Sequence, residues 1–145
     1  MIKRIPIMKM KKRRQYLLVD DDATSNLICE LNIRKLDVHA AINTFNDPEE
    51  ALACIKDKCV PDDKMICILF LDINMPGMSG WEFLDAFQNL CSKVREKFRI
   101  YVLTSSIEDF TEERMKYSYV SGFLSKPIRA GKLETILREI DTVSL

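Results

Sequence analysis

Ile66-Cys67-Ile68-Leu69-Phe70-Leu71 runs without one polar interruption and stops at Asp72. A strand that faces water on one side alternates apolar and polar residues, so an unbroken run of this length predicts a strand buried on both faces, as in the middle of a parallel sheet. With Met65 the run reaches seven residues, far short of the ~20 that a membrane-spanning helix needs. Upstream, Tyr16-Leu17-Leu18-Val19 is a short apolar run ending in acids, and Val38–Thr44 reads as a second strand. Downstream, Ile100-Tyr101-Val102-Leu103 and Gly122-Phe123-Leu124 read as two more.

Between these runs lie helical patterns. Leu27, Ile28, Leu31 and the stem of Lys35 recur at helical spacing. Asp47-Pro48-Glu49-Glu50 is a helix start, with Asp as the cap, Pro at the first position and acids at the positive end of the dipole. Ala51, Leu52 and Ile55 give that helix a buried side, with Lys56 and Lys58 at its end and Pro61 beyond. Trp81, Phe83, Leu84, Phe87, Leu90, Cys91 and Val94 mark one long amphipathic helix. Residues 108–117 form a weaker, mostly polar one, and Leu133, Ile136, Leu137 and Ile140 line the inner face of the last. Strand then helix, five times over, predicts an α/β domain: a doubly wound, five-stranded parallel sheet with five helices on its two faces.

The 145 residues suit one domain. Residues 1–14 hold seven Lys or Arg and no acid, which reads as a flexible basic leader, and residues 15–145 form the domain, with Met1, Met8 and Met10 all conceivable starts. The remainder carries −7 although the whole chain is neutral, which argues against a nucleic-acid face. No signal-peptide pattern or membrane span is present, so a cytoplasmic protein is expected. The five cysteines (29, 54, 59, 67, 91) form no CxxC pair and read as reduced, small apolar residues. His39, the only histidine, reads as structural.

In open α/β sheets ligands bind beyond the carboxyl ends of the strands. The predicted strands end there in Asp20-Asp21-Asp22, in Asp72, in Thr104-Ser105 and in Ser125-Lys126-Pro127. Asp22 suits a helix cap. Two carboxylates about 4 Å apart repel by about 4 kcal/mol at an effective dielectric of about 20, so a proton or a cation must join them. Oxygen ligands suit Mg²⁺, and a phosphoryl group on one carboxylate could then lie between the metal and Lys126. Such transfer needs mainly in-line positioning and neutralised charge. Asp72, alone on the central strand, is the best nucleophile.

Leu17–Asp22, Leu71-Asp72-Ile73-Asn74-Met75-Pro76-Gly77-Met78-Ser79-Gly80, Leu103-Thr104-Ser105-Ser106 and Lys126-Pro127 resemble the response-regulator receiver domains of two-component signalling, in particular the stand-alone CheY-like type. The likeness spans about residues 15–141. It implies a flavodoxin-like strand order 2-1-3-4-5. It implies phosphorylation on Asp72, with Mg²⁺ bound by Asp21, Asp72 and the backbone carbonyl of Asn74, and by Asp20 through a water. Lys126 would hold the phosphoryl oxygen, after which a cis peptide precedes Pro127. Thr104 would be the switch hydroxyl and Phe123 the switch aromatic, where many relatives have Tyr, while Ser105 leaves room for the phosphoryl group. Gly77 and Gly80 read as turn residues, Met75 and Met78 as loop packing and Trp81 as core.

The implied partners are a sensor histidine kinase or histidine phosphotransfer protein and an unknown downstream protein, with no nucleic acid and no membrane. The chain would accept a phosphoryl group on itself without being a turnover enzyme. Two alternatives remain. Asp20-Asp21-Asp22-Ala23-Thr24 also fits the Asp-x-Asp-x-Thr signature of haloacid-dehalogenase-type phosphohydrolases, although the acids after Lys126 (Glu134, Glu139, Asp141) all fall in a predicted helix. The other is a receiver-like scaffold that is never phosphorylated.

Overall fold

A computed structural model describes residues 13–58, 64–105 and 110–143. In chain order the elements are β1 (Arg13–Val19), α1 (Ala23–Leu36), β2 (Ala41–Phe45), α2 (Pro48–Lys58), β3 (Met65–Asp72), α3 (Gly80–Gln88), α4 (Ser92–Arg95), β4 (Phe98–Thr104), α5 (Thr111–Lys116), β5 (Gly122–Ser125) and α6 (Ala130–Val143). All four strand pairings are parallel. The sheet order is β2-β1-β3-β4-β5, the doubly wound arrangement expected.

β3 lies between β1 and β4, and its two faces explain its composition. Cys67, Leu69 and Leu71 join a core with Ala51 and Ile55 of α2 and Phe83, Leu84 and Phe87 of α3. Ile66, Ile68 and Phe70 join the opposite core with Cys29 and Ile33 of α1 and Leu133, Ile136 and Leu137 of α6. A polar residue on either face of β3 would bury an unpaired group. The Asp47 carboxylate accepts the Glu49 N–H at 2.9 Å, so the start of α2 is capped as its sequence indicates.

Several boundaries differ from the sequence reading. Arg13 and Arg14, assigned there to the leader, belong to β1. Arg14 is ion-paired with Asp141 of α6 and lies 3.9 Å from Asp37, whose carboxylate also accepts the Tyr16 hydroxyl at 3.2 Å. Residues 1–12, Cys59, Pro61 and Ser106 lie outside the described residues. β2 begins at Ala41 rather than Val38, because Asp37 closes α1 and its carbonyl takes the Ala40 N–H at 3.1 Å in a turn. That turn leaves His39 exposed, so it is not a packed core histidine.

The long helix expected from Trp81 to Val94 is two segments, which makes six helices rather than five among the described residues. α3 tightens at its end, where Asn89 N–H donates to Ala86 O at 3.1 Å and Leu90 N–H to Phe87 O at 3.0 Å. The chain restarts as a single turn, and the Arg95 guanidinium donates back to Leu90 O at 2.9 Å. Leu90 and Val94 still reach the core, which is why the apolar period runs through the break.

α1 differs in orientation. Its buried residues are Asn26, Cys29 and Ile33. The periodic set Leu27, Ile28 and Leu31 forms its outer face, 55%, 42% and 53% exposed.

Candidate functional site

The carboxyl ends of β1, β3, β4 and β5 converge on one rim. Asp20 follows β1. Its N–H donates to Phe45 O at 3.0 Å, and one carboxylate oxygen accepts the Asp22 N–H at 2.9 Å. Asp22 is the cap of α1, its side chain accepting from Thr24 N at 2.9 Å. That role turns Asp22 away from the rim chemistry. Oxygens of Asp20, Asp21 and Asp72 lie within 4.8 Å of one another, with Asp21 the exposed member.

Asp72 ends β3 and is 3% exposed. The Lys126 ammonium sits 2.6 Å from Asp20 Oδ2 and 3.1 Å from Asp72 Oδ1, so one cation bridges both carboxylates. The Asn74 N–H approaches Asp72 Oδ1 at 3.4 Å, a long contact. Burial, reinforced by the negative charge of Asp20, pushes the Asp72 carboxyl up to about 6 against the pull of Lys126. Burial alone would lower the lysine; the bond and charge of Asp20, then those of Asp72, outweigh it and hold Lys126 above its usual range.

Three backbone bonds hold the rim in shape. Ile73 N–H donates to Leu103 O at 3.2 Å, Lys126 N–H to Thr104 O at 2.8 Å and Gly80 N–H to Ile73 O at 2.8 Å. Thr104 is buried at the end of β4, and Ser105 beside it is exposed. The peptide between Lys126 and Pro127 is cis.

Phe123 stands opposite Val102 in the β4–β5 ladder and is half-buried. Its ring lies 5.8 Å from Phe110 and 6.1 Å from Trp81, with the Arg114 guanidinium 4.7 Å over its face. Trp81 also stacks on Tyr117 at 5.3 Å, so it packs half-buried against the core and links α3 to the end of α5. Met75 is buried and Met78 packs against the same cluster.

Two features escaped the sequence reading. Gly77 takes the left-handed turn conformation at φ 81°, but Gly80 serves close approach instead: a Cβ there would lie 2.6 Å from the Asp72 carbonyl oxygen. Asn26 is buried beneath the acid cluster, and its amide reaches three oxygens around it. Its signal was a polar residue on the buried stripe of α1, hidden by the stronger apolar period of the outer face.

The donor set is oxygen only and carries a net negative charge after Lys126 is counted, which fits a small hard cation such as Mg²⁺. Among the described residues no helix is long and apolar enough to cross a membrane.

A family model described as the response regulator receiver domain matches residues 16–138. Among solved structures, a two-component response regulator from Cytophaga hutchinsonii is 25% identical, with a TM-score of 0.73, over 90% of this chain and 98% of the other. The chemotaxis protein CheY4 of Vibrio cholerae is 26% identical, with a TM-score of 0.64, over 88% and 98%. A curated relative, the sensor histidine kinase AruS of Pseudomonas aeruginosa, is 25% identical over 128 residues. The match takes in 88% of this chain but only 12% of that kinase. With the family match running from β1 into α6, the chain belongs to the response regulator receiver domains of two-component signalling.

Proposed function

We propose that this receiver domain accepts a phosphoryl group on Asp72 in a Mg²⁺-dependent reaction and uses it to switch a protein-binding surface. The observation that carries the reading is the placement of Lys126 across Asp20 and Asp72, with Asp21 completing the acid cluster. One oxygen of the ionised Asp72 attacks the phosphorus of a phosphohistidine. The new O–P bond makes an acyl phosphate, the P–N bond breaks, and the imidazole leaves with the bonding pair. The Lys126 ammonium, already between the carboxylates, stays to bind a phosphoryl oxygen. Asp21, Asp72 and the Asn74 carbonyl would hold Mg²⁺ directly and Asp20 through water; the metal supplies neutralisation of the phosphoryl charge.

Thr104 and Ser105 flank the position that the group would take. The Thr104 hydroxyl bonds to it and Phe123 follows, which alters the surface of α5, β5 and α6. The protein is altered stoichiometrically and turns over no external substrate.

The partner that donates the group is a histidine kinase or a histidine phosphotransfer protein. Leu27, Ile28 and Leu31 support this, because they expose an apolar stripe on the helix that leaves the acid cluster directly. A cavity of about 270 Å³ beside the stripe runs from Ile28 to Lys126 and Ile128, giving a donor's apolar side chain a place next to the rim.

Incubation with acetyl phosphate and Mg²⁺, followed by intact-mass spectrometry, is expected to add one phosphoryl group to the wild type and none to Asp72→Asn. Equal labelling of the two removes Asp72 as the acceptor.

A further inference from the structure

We infer that Asn26 is a positioning residue, which holds the Asp20–Asp21 segment in the geometry that a divalent cation requires; the inference rests on the Mg²⁺-dependent reading above. Asn26 is the fourth residue of α1 and is 5% exposed. Its amide nitrogen lies 3.1 Å from the Asp20 carbonyl oxygen, 3.2 Å from the Phe45 carbonyl oxygen and 3.0 Å from Asn46 Oδ1. Two N–H groups thus serve three acceptors, one at the end of β1 and two at the junction between β2 and α2. The Phe45 carbonyl also takes the Asp20 N–H at 3.0 Å.

The peptide that carries Asp20 is therefore held at its N–H by β2 and at its carbonyl by Asn26. Its side chain is held in turn by the Asp22 N–H and Lys126. Asp21 follows immediately and is exposed, so its direction depends on the peptide before it.

An apolar residue of equal size at position 26 would leave the carbonyl of buried Asp20 without its side-chain donor, whereas the exposed Asn46 side chain could turn to water. The chain would then shift to find water, moving Asp20 and Asp21 relative to Asp72. Groups that orient metal ligands from behind commonly change affinity by about 10–100-fold when lost.

The test compares full-length wild type with Asn26→Leu and Asn26→Ala, the first keeping the size and both removing the donor without adding charge. Ile33→Val serves as a control that loosens the same helix without touching the network. Two readouts are taken: Mg²⁺ affinity by calorimetric titration, and amide hydrogen exchange at Asp20 and Asp22 in metal-free protein. Both Asn26 variants are expected to bind Mg²⁺ about tenfold or more weakly and to exchange those two amides faster, while Ile33→Val matches the wild type in both. If one variant does not fold, the other decides. Wild-type Mg²⁺ affinity in a folded Asn26 variant overturns the inference, whatever exchange does. A wild type that binds no Mg²⁺ overturns the proposed function instead, and unchanged exchange in the variants would then overturn the role of Asn26.

Discussion

An ionised carboxylate at Asp72 has little water around it and a second carboxylate beside it, with Lys126 as the nearest compensation. Its folded pKa of about 6 stands above the ~3.9 of an unfolded aspartate, so between those values the folded chain binds more protons. Stability therefore falls as pH rises from about 4 through 6, and the cost is fully present above 6. In metal-free protein, Asp72→Asn is expected to be more stable than wild type at pH 7, by an amount on the order of 3 kcal/mol, with the gap closing toward pH 4. Urea unfolding in EDTA across that range checks it. On the proposed function the acid triplet divides its labour. Asp21→Ala should weaken Mg²⁺ binding by more than Asp22→Ala, since Asp22 caps α1. Asp22→Ala should instead lower stability by about 1 kcal/mol. Mg²⁺ titrations and melting curves of the two variants separate these effects, and the reverse order would move the ligand assignment one residue along.

α5 is six residues long, has no buried residue and is flanked by the aromatic rings of Phe110 and Tyr117. Tyr117, just past its end, stacks on Trp81 and donates to Asp85 of α3 at 2.9 Å. An element so lightly attached can move when Phe123 moves. Thr104→Ala is expected to accept a phosphoryl mimic such as beryllofluoride yet lose most of the amide NMR shifts around Phe123. The full wild-type pattern in that variant would make Thr104 a packing residue only. What the sequence showed of such elements depended on how directly a residue's neighbours along the chain set its surroundings. β3 was legible because burial on two faces leaves no polar residue in Met65–Leu71. The rim was legible because strand ends are marked by charge, and Asp20, Asp72, Thr104 and Lys126 meet there. The α3–α4 break was not, because Leu90 and Val94 keep the apolar period while the backbone tightens at Asn89. The outward face of α1 was misleading for a related reason: its apolar residues face away from the sheet, and the side that packs is led by Asn26.

At the scale of the whole molecule, the two ends of the sheet do different work. The carboxyl ends of the strands collect the acid cluster, whereas the opposite end of β1 carries Arg14, which joins Asp141 of α6 and Asp37 at the close of α1. Arg14→Met is expected to cost about 2 kcal/mol in chemical unfolding, the scale of charged hydrogen bonds, while leaving Mg²⁺ affinity unchanged. A matching loss of Mg²⁺ affinity would mean that the two ends are coupled. The strand order has a further consequence for how the chain comes to be folded. Tyr16 faces Ile68 and Leu18 faces Phe70 across the β1–β3 ladder, so each of these pairings closes a loop of about fifty residues. Such distant contacts form slowly. On a ribosome, Tyr16-Leu17-Leu18-Val19 emerges with one edge open until Met65–Asp72 has followed it out, and the apolar stripe of α1 is exposed throughout. Production of this domain is therefore a race between translation of that interval and association of unfinished chains.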